Sequence, residues 1–172
     1  MDVAELLRSH IRDIQDYPQP GILFKDITPL LGDGPAFAAV IAEMAAGYLD
    51  VDKVAGIEAR GFILAAPVAL ELTAGFVPVR KEGKLPAQTY AESYSLEYGT
   101  ATLEVHKDAF VPGERVLIVD DVLATGGTAA ATVELVKRAG ATVAGLMVLL
   151  ELGFLSGREK LPDIPVRALL AV

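Results

Sequence analysis

Residues 116–128 read Val-Leu-Ile-Val-Asp-Asp-Val-Leu-Ala-Thr-Gly-Gly-Thr, a run with few structural solutions. Four apolar residues, three of them β-branched, predict a strand buried on both faces. Asp120 and Asp121 close that strand. A short loop then ends in Gly126-Gly127-Thr128 and leads into an Ala-rich helical stretch. Ligands of open α/β sheets sit at the C-terminal ends of parallel strands. A Gly-rich turn at a helix N-terminus offers several backbone N–H groups to one anion. Carboxylates repel a phosphate, but they accept hydrogen bonds from sugar hydroxyls or flank a divalent ion. The stretch thus pairs an anion end with a polyol end, and a ribose 5-phosphate has both.

Two other phosphate loops are excluded. The pattern G-x-x-x-x-G-K-[ST] fails because no Lys precedes Thr128, and G-x-G-x-x-G fails because the loop holds only one Gly pair. At 172 residues, 52% hydrophobic and 22% charged, the chain has the makings of one folded domain, expected over residues 1–172. The absence of Cys excludes disulfides and thiol catalysis. The opening Met1-Asp2-Val3-Ala4-Glu5 does not read as a secretory signal, and the longest apolar run, Leu146 to Leu150, is too short to span a bilayer. A cytoplasmic protein is expected. A net charge of −8 argues against nucleic acid as a partner, so an anionic substrate must be held by local positive charge.

The rest of the chain supplies an α/β frame. Val3, Leu7, Ile11 and Ile14 predict an amphipathic helix over 3–15, broken by Tyr17-Pro18-Gln19-Pro20-Gly21. Ile22-Leu23-Phe24 is a short apolar run, Thr28-Pro29 a turn, and Asp33-Gly34-Pro35 the start of a second helix. A strand near 53–58, a helix to about Leu72 and a strand over 75–80 make one βαβ unit. Pro67 implies a kink in that helix or a later start. A strand to Asp121, a helix over 128–139 and a strand over 142–152 make a second unit, and the pair argues for a parallel sheet. Between them, residues 81–110 begin polar and then alternate as a hairpin near Gly99, so a flexible loop over about 81–99 is expected.

Glu58-Ala59-Arg60-Gly61-Phe62 sits at the end of the first strand, as Asp120-Asp121 sits at the end of the later one. Parallel strands aim both loops at one crevice. Arg60 is a fork donor suited to phosphate oxygens. Arg80, Lys81 and Lys84 put three positive charges in five residues, which in an acidic chain suits a pyrophosphate clamp. His10 and His106 lack metal-ligand spacing and read as ordinary surface or strand residues.

The run at 116–128 resembles the phosphoribosyl-pyrophosphate motif of the type I phosphoribosyltransferases. Nearly the whole chain resembles their adenine branch. Arg80-Lys81-x-Gly83-Lys84-Leu85-Pro86 is similar to its mobile loop, and Ser93-Tyr94-Ser95-Leu96-Glu97-Tyr98-Gly99 to the segment bearing its acid/base Glu. Pro20-Gly21-Ile22-Leu23-Phe24-Lys25-Asp26-Ile27 is similar to its hood, and Gly157-Arg158-Glu159-Lys160-Leu161 to its C-terminal stretch. The hood more usually has Arg at the position of Lys25, and residues 87–92 depart from the branch's pattern.

The resemblance implies a twisted, mainly parallel sheet flanked by helices, with a hood from about residues 1–35 plus a C-terminal segment. It implies transfer of phosphoribosyl from phosphoribosyl pyrophosphate to adenine, giving AMP and pyrophosphate. Glu97 would be the catalytic acid/base. Ala124, Thr125, Gly126, Gly127 and Thr128 would bind the 5-phosphate, and Asp120 and Asp121 the ribose. Arg60, Arg80, Lys81 and Lys84 would bind pyrophosphate, and Leu23, Phe24, Lys25 and Leu152 adenine. Magnesium is implied, held mainly by substrate oxygens and water with no firm protein ligand. A homodimer is expected. The alternatives are the same fold serving another base, and a non-catalytic sensor of phosphoribosyl pyrophosphate; the latter lacks a basic nucleic-acid surface here.

Overall fold

A computed structural model of the chain describes residues 2–96 and 98–172. It divides into two compact units, residues 1–43 and 44–172.

The first unit opens with helix α1 (Val3–His10) and a two-stranded antiparallel ribbon, β1 (Arg12–Gln15) and β2 (Leu23–Asp26). The helix expected over 3–15 therefore stops at His10. Ile11 is already extended, at φ −104° and ψ 129°, and Ile14 pairs with Phe24 across the ribbon. Charge complementarity supports the strand. Arg12 faces Asp26 and Asp13 faces Lys25, with ion pairs at 2.6 and 2.8 Å. The turn expected at Thr28-Pro29 is instead a short helix, α2 (Thr28–Gly32). Pro29 sits in its first turn, where a missing N–H leaves no gap in the ladder. Helix α3 (Gly34–Ala45) follows, and Asp33 Oδ1 accepts the Ala36 N–H at 3.0 Å, much as an N-cap does.

The second unit is built on a seven-stranded sheet. Its elements are β3 (Lys53–Ile57), α4 (Arg60–Glu71), β4 (Gly75–Lys81), β5 (Thr89–Ser95), β6 (Thr100–His106), β7 (Arg115–Leu123), α5 (Gly127–Arg138), β8 (Thr142–Glu151) and β9 (Val166–Ala171). The strand order is β5-β6-β4-β3-β7-β8-β9. Both βαβ units are present: β3 is parallel to β4 and β7, and β8 is parallel to β7 and β9. β6 is antiparallel to both β4 and β5, and the β5–β6 hairpin extends the sheet from β4.

Pro67 lies inside α4, which is continuous from Arg60. Residues 89–95, expected within a flexible loop, are strand β5, paired with β6 from Thr89↔His106 to Ser95↔Thr100. The alternation read there is observed: Leu103 and Val105 are buried, and Thr102, Glu104 and His106 are partly exposed. β7 also runs two residues past the acidic pair, because Val122 and Leu123 still pair with Leu150 and Glu151 of β8.

The main core lies where the sheet meets α5. Val116, Ile118, Leu146 and Val148 pack there with Val133, Leu135 and Val136. Burying such side chains contributes about 1.5–3 kcal/mol each and fixes the central strands whose ends form the site. Among the described residues, no helix is long and apolar enough to cross a membrane.

Candidate active site

The register of the central strands assembles the site. Gly56 of β3 lies opposite Val119 of β7, so the residues that follow β3 emerge beside the acidic pair within β7. On the other flank Ile57 lies opposite Val79 of β4, and the Glu58 N–H donates to Val79 O at 3.0 Å. Three chain segments, 57–60, 80–81 and 120–128, therefore share the C-terminal end of the central parallel strands.

Beyond Leu123 the chain turns through Ala124 and Thr125 to Gly126, which sits at φ +86°. That left-handed conformation favours glycine. A Cβ there would also strike the carbonyl of Gly157, which opens the second of two 3₁₀ turns, Gly153–Leu155 and Gly157–Lys160. The Ala130 N–H donates to Gly126 O at 2.9 Å, leaving the earlier N–H groups of the first turn outside the helical ladder. The loop residues Ala124, Thr125, Gly126, Gly127 and Thr128 line a hollow together with Asp120 and Val122. Such a cradle of backbone donors suits a phosphate.

Asp120 and Asp121 differ in environment. Asp121 is buried, and Arg60 Nη2 stands 2.7 Å from its Oδ2. Asp120 Oδ1 accepts the Asp121 N–H at 2.9 Å. Burial, and then the neighbouring Asp121 charge, push the Asp120 carboxyl well above the ordinary range. A wider crevice of about 390 Å³ joins Glu58, Arg60, Lys81, Tyr94, Asp120 and Thr128.

Lys84, Arg80 and the Lys81 backbone converge on Glu58. Lys84 Nζ donates to Glu58 Oε2 at 2.9 Å. The Lys81 N–H donates to Oε1 at 2.9 Å, and Arg80 Nε lies 3.4 Å from the same oxygen. Burial works to raise the Glu58 carboxyl, but Lys84, the Lys81 amide and Arg80 outweigh it and hold the group below its usual range. Sequence reasoning gave Glu58 no role. The available signal was its place just beyond a parallel strand that points the same way as the strand bearing Asp120.

Tyr94 was likewise given no role. Its hydroxyl accepts a hydrogen bond from Thr128 Oγ1 at 3.2 Å, and its ring covers Gly127. Glu97 lies outside the described residues. In the first unit, Phe24 meets Tyr17 edge to face at 5.0 Å, Lys25 pairs with Asp13, and Leu23 is exposed. Leu152 belongs to the second unit, where its N–H donates to Leu123 O at 3.0 Å.

Among the described residues, no three His, Cys, Asp or Glu side chains form a metal-binding group. His10 pairs with Asp33, and His106 Nε2 accepts the Ala87 N–H. The two adjacent aspartates suit an ion that keeps most of its ligands from water and substrate, which is magnesium's habit.

A family model described as the phosphoribosyl transferase domain matches residues 30–166. The adenine phosphoribosyltransferase of Thermobifida fusca is 65% identical over 99% of this chain and 98% of its own. Among solved structures, the adenine phosphoribosyltransferase of Rhodothermus marinus superposes with a TM-score of 0.94 at 54% identity, covering 99% of this chain and 98% of that one. The Saccharomyces cerevisiae enzyme, complexed with an imino-altritol bisphosphate and adenine, gives 0.93 at 39% identity, covering 98% of each chain. The match extends across the strand ends, the glycine loop and the hairpin that form the crevice, and the chain belongs to the phosphoribosyltransferase family.

Proposed function

We propose that this protein transfers the 5-phosphoribosyl group from phosphoribosyl pyrophosphate to adenine, giving AMP and pyrophosphate with inversion at C1. The observation that carries this is the joining, at the C-terminal end of the central strands, of a backbone-lined loop at 124–128, the acidic pair and a cationic strand end. Near full-length similarity to adenine phosphoribosyltransferases supports adenine as the base.

In this scheme the 5-phosphate docks on the amides of 124–128, with the Thr125 and Thr128 hydroxyls assisting. Asp120 and Asp121 accept from the ribose hydroxyls. Arg60, Lys81 and the Arg80–Lys84 segment neutralise the pyrophosphate. As the C1–oxygen bond breaks, positive charge grows on the sugar, and the nearby carboxylates favour it. Adenine N9 attacks C1 from the opposite face and gives its proton to Glu97, a role that rests on the sequence resemblance. Magnesium, arriving with the pyrophosphate, would lower the charge on the leaving group. The assignment of Leu23, Phe24, Lys25 and Leu152 to the purine rests on the sequence resemblance alone. A cytoplasmic homodimer is part of the same proposal.

The test is turnover of adenine with phosphoribosyl pyrophosphate, with and without magnesium, beside a panel of other bases. Magnesium-dependent AMP formation is expected. Turnover only with another base would refute the adenine assignment, and no turnover with any base would refute the enzyme. Glu97→Gln should lower kcat by roughly 10²-fold, within the range for general acid–base catalysis, and normal turnover would remove Glu97 from the mechanism.

A further inference from the structure

We propose that Glu58 is a positioning residue that competes with pyrophosphate for Lys84 and so speeds release of that product. This rests on the assignment of the crevice to phosphoribosyl transfer.

The geometry begins with a carboxylate fixed from behind. Glu58 follows β3, its own N–H is tied to Val79 O, and its Oε1 accepts the Lys81 N–H at 2.9 Å. These two backbone bonds hold the side chain at the crevice wall, where it is only 8% exposed. The second oxygen takes Lys84 Nζ at 2.9 Å. Lys84 reaches it because the chain doubles back after β4. Glu82 N–H donates to Thr102 O, Gly83 N–H to Glu104 Oε2, and Lys84 N–H to Lys81 O. Arg80 Nη1 clasps the returning backbone at Lys84 O, 3.1 Å away.

One partner of this pair is anchored and the other is free to swing. Lys84 is 48% exposed on a flexible four-carbon stem. Glu58 lines the same crevice as Arg60 and Lys81, so pyrophosphate bound there lies within the range of its charge. A pyrophosphate that engages Lys84 must take it from Glu58, leaving a buried carboxylate facing an anion of like charge. Recapture of Lys84 by Glu58 reverses both losses as the product leaves. The carboxylate stays ionised at neutral pH, so the exchange operates under ordinary conditions.

The sign of the effect separates this from a scaffolding role. Glu58→Gln keeps an acceptor for the Lys81 N–H and removes the charge. Calorimetric titration with inorganic pyrophosphate in magnesium chloride should show about tenfold tighter binding for Glu58→Gln, the size of one charge-assisted hydrogen bond. Its kcat should fall when release limits turnover. In a Lys84→Met background, which itself weakens pyrophosphate, the gain from Glu58→Gln should fall to about twofold or less. Unchanged or weaker pyrophosphate binding by folded Glu58→Gln overturns the proposal, as does an undiminished gain with Lys84→Met. If Lys84→Met and Arg60→Ala both bind pyrophosphate as the parent does, the crevice assignment itself fails instead.

Discussion

Arg60 Nη2 stands 2.7 Å from Asp121 Oδ2, so a cation assigned to pyrophosphate is tied to a carboxylate assigned to ribose. The side chains differ in exposure, 37% for Arg60 and 9% for Asp121. The acid is the partner that cannot turn to water when the pair is broken. Under the proposed roles, the contact therefore links stability to substrate binding.

Arg60→Ala should destabilise the protein by about 1–3 kcal/mol, the penalty for leaving a buried carboxylate without its counter-charge. At this chain length that is a fall in Tm of roughly 2–12 °C. Adding Asp121→Asn should restore much of the Tm without restoring pyrophosphate affinity. A double variant no more stable than Arg60→Ala alone would show that the pair has no structural part.

The phosphate loop gives a sharper outcome. A Cβ at Gly127 would lie 3.1 Å from Tyr94 Cδ2, and valine adds two further carbons. Gly127→Val should abolish binding of ribose 5-phosphate in calorimetry. Gly126→Ala, at φ +86°, should lose about 1–2 kcal/mol to backbone strain alone, and more through its clash with Gly157. Retained tight binding by folded Gly127→Val would move the phosphate elsewhere.

Tyr94 should act through Thr128. The threonine hydroxyl donates to the Tyr94 oxygen, and a tyrosine proton can return the bond once Thr128 donates to phosphate. Tyr94→Phe should lower kcat/KM for phosphoribosyl pyrophosphate by roughly 2–10-fold, the size of one neutral hydrogen bond. In a Thr128→Val background it should have no further effect. Additive losses would exclude the relay.

The parts of this molecule legible in sequence are those governed by local pattern. The Val116–Val119 run, the Ala-rich helix after Gly127 and the alternation around Leu103 each announce their element through neighbouring residues. The N-terminal ribbon escaped because Ile11 and Ile14 have helical spacing, and only the pairing of residues 12–15 with 23–26 makes the segment a strand. β9 escaped because the short run from Val166 becomes a strand only beside β8. Glu58 and Tyr94 escaped for the same reason at the site. Their partners lie on β4, on the turn after it and on α5, which depends on strand order and register. The acidic pair and the glycine loop are contiguous, so their chemistry can be read directly.

Asp26 joins folding to pH in the first unit. The Thr28 N–H and then Arg12 lower its carboxyl to about 2. A depressed acid pKa contributes stability that is present above the unfolded value, about 3.9, and lost as pH falls through the folded value near 2. Asp26→Asn should therefore flatten the acid limb of Tm against pH below about 4, and lower Tm near neutrality. An unchanged acid limb would place the acid-sensitive groups elsewhere.

Asp120 has the opposite sign. Burial and the Asp121 charge raise its carboxyl, so its ionised form opposes folding. The penalty is absent below the unfolded value, about 3.9, and grows as pH rises toward the folded one. Asp120→Asn should accordingly raise Tm at neutral pH, and the gain should vanish as the medium is acidified below about 4. If Asp120 binds the ribose as proposed, the same change alters an acceptor for the diol, so affinity for ribose 5-phosphate should fall as stability rises. A site residue that destabilises its own fold is held for function rather than for packing. Lower Tm together with unchanged affinity would assign Asp120 to the scaffold instead.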